Sequence, residues 1–165
     1  MLLDKDDLVG YNFLLLNIGS QIIFEYGKIL FWKSAIKPGR PIAFGKINNC
    51  YIICLPGNPV SVHLLYAFIV KPFIDYIAGA NFLLPLPEKI KVNFGMNKKT
   101  KRMEWLRVRK KKKNSEFILE KYPEQGSGMI SSMAYSDGII EIPEEVSQIK
   151  PGEFYNYYDF KILFF

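Results

Sequence analysis

The segment Cys54-Leu-Pro-Gly-Asn-Pro-Val-Ser61 constrains the fold more than any other part of the chain. An apolar run from Cys50 to Leu55 must end at Pro56 and Gly57, because proline cannot donate to a strand ladder and glycine marks a turn. Asn58 is a favoured helix N-cap, and Pro59 at the first helical position sacrifices no hydrogen bond. A strand therefore runs directly into a helix, expected from Pro59 to Ala78 and stopped by Gly79. The free amides of the first turn and the helix dipole together suit an anion, and Ser61 adds a hydroxyl. The same residues describe, with equal economy, a well-capped turn that holds no ligand.

The flanking segments place this junction in an α/β unit. Asn12 is positioned to cap a helix from about Phe13 to Tyr26, with Gly27 at its end, although Gly19 and Ser20 weaken it. Ile29 to Ile36 reads as a strand. Pro41 to Ile47 and Cys50 to Leu55 read as two more, joined by Asn48-Asn49 in a tight hairpin. Residues 1 to 10 read as a polar lead-in. Beyond Asn81 the character changes. Pro85 and Pro87 mark a linker, and short alternating segments follow: Ile90–Phe94, Met103–Lys110, Glu116–Lys121, Ile139–Ile142 and Phe154–Phe165. Turn residues separate them, as in a small barrel or sandwich. The expected fold is an α/β segment followed by a small all-β, barrel-like domain, divided as residues 1–84 and 85–165.

Composition narrows the classes of function. The chain has 165 residues, 49% of them hydrophobic and 23% charged, which suits one medium domain or two small ones. A net charge of +6 favours acidic partners such as oxyanions or phosphates. Part of that charge is local, in Lys110 to Lys113, where a solvated hairpin tip is the simpler reading than a phosphate-backbone contact. No RNA-binding or helix-turn-helix signature accompanies it, so no nucleic-acid partner is expected. The longest apolar run, Val60 to Ala78, is interrupted by His63, Lys71, Pro72 and Asp75, and no membrane partner is expected. Met1 is followed by the acidic stretch Asp4 to Asp7, unlike a signal peptide. Cys50 and Cys54 fall on one strand face and read as free thiols, in keeping with a cytoplasmic location. His63 alone makes no metal site, and a core or half-buried position is expected for it.

Three further segments carry candidate chemistry. In Lys33-Ser-Ala-Ile-Lys-Pro-Gly-Arg-Pro41 an extended backbone would turn Lys33 and Lys37 to one side, with Gly39 allowing close approach of a ligand and the prolines stiffening the turn. A solvated basic turn is the alternative. In Lys101-Arg-Met-Glu-Trp-Leu-Arg-Val-Arg109 alternation puts Arg107 and Arg109 on one face, opposite Leu106 and Val108, while Arg102 near the strand start could reach a cleft. Guanidinium groups suit bidentate oxyanion contacts, although an ordinary strand with a polar outer face has the same pattern. In Gln125-Gly-Ser-Gly-Met-Ile-Ser-Ser-Met133 the glycines free the backbone around Ser127, which fits either a donor loop or a turn before a short helix.

Taken in order, Phe31 to Pro41, Leu55 to Ser61, Arg102 to Arg107, Gln125 to Ser132 and Asp137-Gly138 resemble the C-terminal half of the MoeA/gephyrin family of molybdopterin molybdenumtransferases. The resemblance covers about residue 28 to the end. Arg40 stands where the family has lysine, and Trp105 where it has phenylalanine. The resemblance implies insertion of molybdate into adenylylated molybdopterin with release of AMP. By matching position it implies that Lys33, Lys37 and Ser61 serve the chemistry. It assigns substrate binding to Pro38, Gly39, Arg40, Pro56, Gly57, Asn58, Arg102, Arg107 and Ser127. It also implies a homodimer in the full-length form, with Mg²⁺ held by acidic residues of the family's N-terminal half. Residues 1–27 show nothing like the family's T-G-G-V-S-V-G-D loop, so this chain reads as a C-terminal portion that is inactive alone. A protein-interaction module of the gephyrin type, without catalysis, is the competing expectation.

Overall fold

The computed structural model describes residues 14–81 and 84–164. They fall into two compact units. The first comprises residues up to Ser34 together with Pro41–Gly57, and the second comprises Ala35–Arg40 together with Asn58–Phe165.

In the first unit, helix α1 (Leu14–Tyr26) precedes strand β1 (Lys28–Trp32), and β3 (Ala43–Ile47) and β4 (Cys50–Cys54) form the hairpin. The sheet order is β1-β3-β4, antiparallel throughout. Asn48 at the hairpin turn has φ 51°, a left-handed conformation that asparagine tolerates. Ile23 of α1 is fully buried against Gly45 of β3, where a side chain on the glycine would collide with it. The expected cap Asn12 and the expected first helical residue Phe13 lie outside the described residues. The strand expected over Ile29–Ile36 is interrupted. Lys33 takes φ 60° and its amide donates to the Ile42 carbonyl at 2.9 Å, so the alternation assumed between Lys33 and Lys37 does not hold.

In the second unit, the short strand β2 (Ile36–Lys37) lies parallel to the start of β7 (Met103–Lys113). Helix α2 (Pro59–Ile77) begins on Pro59 and contains a π-turn at Tyr66–Val70. The wider turn precedes Pro72, which lacks an amide hydrogen and would clash with the carbonyl of a regular preceding turn. Gly79, with φ 72°, stops the helix as expected. By length and composition α2 is apolar enough to cross a membrane, against the expectation drawn from its polar interruptions. Its Val60, Leu64, Leu65 and Ala67 are nevertheless buried, and Lys71 pairs with Asp75 at 2.7 Å on its surface.

The remainder is a closed barrel. Strands β5 (Glu88–Val92), β7, β8 (Glu116–Lys121), β9 (Gly138–Ile142) and β11 (Phe154–Asp159) pair in the order β7-β8-β5-β11-β9, and β9 returns to β7. Long strand β7 makes closure possible: residues 104–108 pair with β9 and residues 108–113 with β8. Ile90, Val92, Leu106, Val108, Leu119, Ile140, Ile142 and Tyr157 fill the interior. A two-stranded ribbon, β6 (Met96–Asn97) with β10 (Gln148–Ile149), completes the sheets, and helices α3 (Ser131–Ala134) and α4 (Phe160–Phe164) are short.

The α/β-then-barrel class is as expected, but details differ. The compact units do not divide at residue 84, because α2 packs with the barrel: Phe68 stacks on Trp105 at 4.7 Å and meets Tyr158 edge-on at 4.9 Å. The strand expected to continue to Phe165 ends at Asp159, whose carboxylate accepts from the Lys161 amide at 2.9 Å and starts α4. Lys110 to Lys113 belong to β7 itself rather than to the tip, and the turn is Asn114-Ser115, with φ 47° and 69°. His63 is exposed, its Nδ1 2.7 Å from the Pro59 carbonyl.

Candidate functional site

Parts of all four candidate segments lie within the second unit. Parallel pairing sets Lys37 directly beside Glu104, one residue into β7. The Lys37 ammonium lies 3.3 Å from each oxygen of the Glu104 carboxylate. Gly39, at φ 131°, passes so near α2 that a side chain there would meet Leu65 at 3.0 Å. Its close approach is thus to the helix, where the sequence suggested a ligand. Pro38 and Gly39 are buried, while Arg40 is exposed.

At the start of α2, Asn58 occupies the N-cap position with φ −86° and ψ 118°, yet its side chain does not cap. Its Nδ2 instead donates to Ser127 Oγ at 2.8 Å, and its Oδ1 is buried with no partner. The first turn is thus left without a capping side-chain acceptor from Asn58. Ser61 is buried in that first turn. The Asn58–Ser127 bond ties the helix start to the loop that follows β8.

That loop is held to β7 by side chains. Gln125 Oε1 accepts from the Arg107 amide at 3.0 Å, and its Nε2 donates to the carbonyls of Arg107 at 2.8 Å and Tyr122 at 2.7 Å. Gln125 so replaces a strand partner. Arg107 is only 1% exposed; its Nε donates to Ser132 Oγ at 3.1 Å and its Nη2 to the Gly126 carbonyl at 3.2 Å. Burial pushes its guanidinium down to about 10. No carboxylate is recorded as an ion-pair partner of Arg107 among the described residues. The expected polar outer face is therefore covered, and Arg107 serves the loop. Neither Gly126 nor Gly128 takes a positive φ, so the loop does not use the freedom they offer.

The other candidates are distributed as follows. Arg102 is exposed immediately before β7, next to Lys101 with φ 72°. Arg109 donates to the Tyr135 carbonyl at 2.8 Å and lies over the Tyr122 ring at 5.1 Å. Lys33, Pro56 and Gly57 belong to the first unit, where Lys33 Nζ lies 5.6 Å from the Trp32 ring centroid. Cys50 and Cys54 are free thiols, and burial pushes that of Cys54 up. Sequence reasoning passed over Glu104, which is 6% exposed. Its signal was available: one acid among the cations Lys99, Lys101, Arg102 and Arg107, next to the apolar Met103, Trp105 and Leu106. Gln125 was seen as part of a motif, but its role as a clamp was not.

Residues 89–160 match the family model of the MoeA C-terminal region (domain IV). A molybdopterin molybdenumtransferase of Haemophilus influenzae is 29% identical over 134 residues, covering 80% of this chain and 33% of that protein. A putative molybdopterin biosynthesis protein of Methanocaldococcus jannaschii is 30% identical over 142 residues, covering 86% of this chain and 32% of its own length. The crystal structure of a molybdopterin biosynthesis MoeA protein from Pyrococcus horikoshii aligns with a TM-score of 0.62 at 27% identity, over 82% of this chain and 33% of that one. The chain spans about a third of the length of these relatives.

Proposed function

Since this chain belongs to the MoeA/gephyrin family, matching its C-terminal portion, we propose that it contributes the oxyanion-holding part of a molybdenum-inserting enzyme. The coarse reading is molybdenum cofactor biosynthesis, which the names of its relatives support. The finer reading is insertion of molybdate into adenylylated molybdopterin with release of AMP. The observation that carries it is the placement of Lys37, fixed at the start of β7 in the same compact unit as the first turn of α2 and Ser127.

Molybdate is a dianion with only acceptor oxygens, so its site must supply donors and positive charge. Lys37 supplies an ammonium, Arg102 a guanidinium, Ser61 and Ser127 hydroxyls, and the start of α2 its free amides. Arg107 acts one step back by fixing the loop that carries Ser127. Among the described residues no cluster of His, Cys, Asp or Glu could hold a metal, so no step here is assigned to Mg²⁺. The relatives are about three times as long as this chain, and the activity we propose is that of such a full-length protein, acting as a cytoplasmic homodimer.

A second reading, as an interaction module, draws on the far end of α2. Ile74, Tyr76 and Ile77 are 47%, 65% and 51% exposed there, an apolar surface suited to a partner. Calorimetric titration with molybdate separates the two readings. Lys37→Ala should weaken binding by roughly tenfold to hundredfold, the effect of losing a charge-assisted contact of about 1.5–3 kcal/mol. Equal binding by both proteins, with circular dichroism as the fold control, would reduce Lys37 to a surface residue and favour the interaction module.

A further inference from the structure

The Lys37–Glu104 pair is asymmetric. The side chain of Lys37 is 59% exposed and that of Glu104 only 8%. A carboxylate held that deep requires a cation. Among the described residues, Lys37 is the one ion-pair partner recorded for it. Both oxygens lie at the same 3.3 Å from Nζ, so the ammonium sits astride the carboxylate. Strand register fixes the two side by side, whatever the state of the site.

We propose that Glu104 is a built-in competitor for Lys37. It holds the ammonium against the barrel while the site is empty and shares it with an arriving oxyanion, thereby setting the affinity of the site. This inference rests on the reading of Lys37 as an anion ligand. An ammonium has three N–H donors, and the two directed at Oε1 and Oε2 leave one for an incoming oxygen. The paired lysine also carries little net field. A dianion drawn to it meets the negative charge of Glu104 beside it, and like charges at short range repel strongly where water is excluded. Occupancy of the site is thus an exchange of partners at Lys37, and a carboxylate that cannot leave its strand keeps binding reversible.

A structural role alone predicts the opposite sign. If Glu104 only anchored Lys37, its loss would loosen the lysine and weaken anion binding. If it acts as a competitor, Glu104→Gln should strengthen it, by roughly tenfold in low salt, with the gain shrinking as ionic strength rises. The probe is molybdate alone, titrated into the full chain, with circular dichroism as the fold control. Glu104→Met, an apolar side chain suited to the buried position, is a second variant should Gln not fold. Binding by either folded variant that is unchanged or weaker than wild type, while Lys37→Ala binds more weakly still, overturns the competitor and leaves the functional reading standing. Absence of molybdate binding in wild type, Glu104→Gln and Lys37→Ala alike overturns both.

Discussion

The two halves of strand β7 both carry charged residues, yet they face different surroundings. From Glu104 to Val108 every residue is buried. Trp105 lies under Phe68, Arg107 lies under the Gln125–Ser132 loop, and Glu104 holds Lys37. From Lys111 to Lys113 the side chains are exposed and the strand is held by its ladder to β8. Lys110 marks the transition: its ammonium bonds Glu88 at 2.8 Å and lies over the rings of Phe117 and Tyr157. The lesson is that a run of basic residues has no single meaning. What covers each position decides whether its charge is structural, functional or merely solvated.

The largest test of that contrast is at Arg107. Truncation by Arg107→Ala removes a buried side chain and two hydrogen bonds that fix the Ser127 loop. It should destabilise the chain by about 3 kcal/mol in urea unfolding. Arg107→Met keeps the volume and removes a cation that lacks a carboxylate partner, so its cost should be distinctly smaller. Equal costs for the two variants would place the energy of Arg107 in its charge rather than in packing.

Lys37 should come next. Sequence alone suggests that an exposed lysine can be removed without harm to the fold, but the buried Glu104 carboxylate changes this expectation. Lys37→Ala leaves that charge unpaired and should cost about 1–2 kcal/mol, an allowance reduced from the buried-pair value because the lysine is solvated. Adding Glu104→Gln should recover most of the loss. A fully additive double mutant in urea unfolding would show that the pair contributes nothing.

The smallest effect is expected on the arm. Lys111→Ala, Lys112→Ala and Lys113→Ala should each shift stability by less than about 0.5 kcal/mol. A larger loss in thermal unfolding for any one of them would erase the distinction between the two halves of the strand.

The sequence made some of this legible and hid the rest for identifiable reasons. Local signals were sufficient where the structure is local. Asn48-Asn49 marks the hairpin, Pro59 and Gly79 bound α2, and alternation finds the barrel strands. Lys33 was misread because Phe31-Trp32 continues a strand pattern into a residue that turns left-handed. The segment from Phe154 onwards alternates well enough to conceal that Asp159 starts a helix. Within the candidate site, alternation correctly put Arg107 and Arg109 on one face. It could not reveal that a loop about 20 residues further along covers Arg107, because period carries no information about distant chain. Asn58 shows the same limit: its type and position announce a cap, and a serine from Gln125–Ser132 claims its amide instead.

Closure of the barrel has a consequence for how this polypeptide meets others. The last barrel strand returns to the first, so among the described residues of that sheet just the two-residue β2 has a single neighbour, too short to offer a row of unpaired amides to a passing strand. The sheet of the first unit is different, since among the described residues β1 and β4 each have one neighbour, β3. Leu30, Phe31 and Tyr51 are exposed along those two borders. Aggregation by strand addition should therefore begin there, while the barrel stays inert, and a charge or proline placed on β1 or β4 is the remedy that this topology recommends.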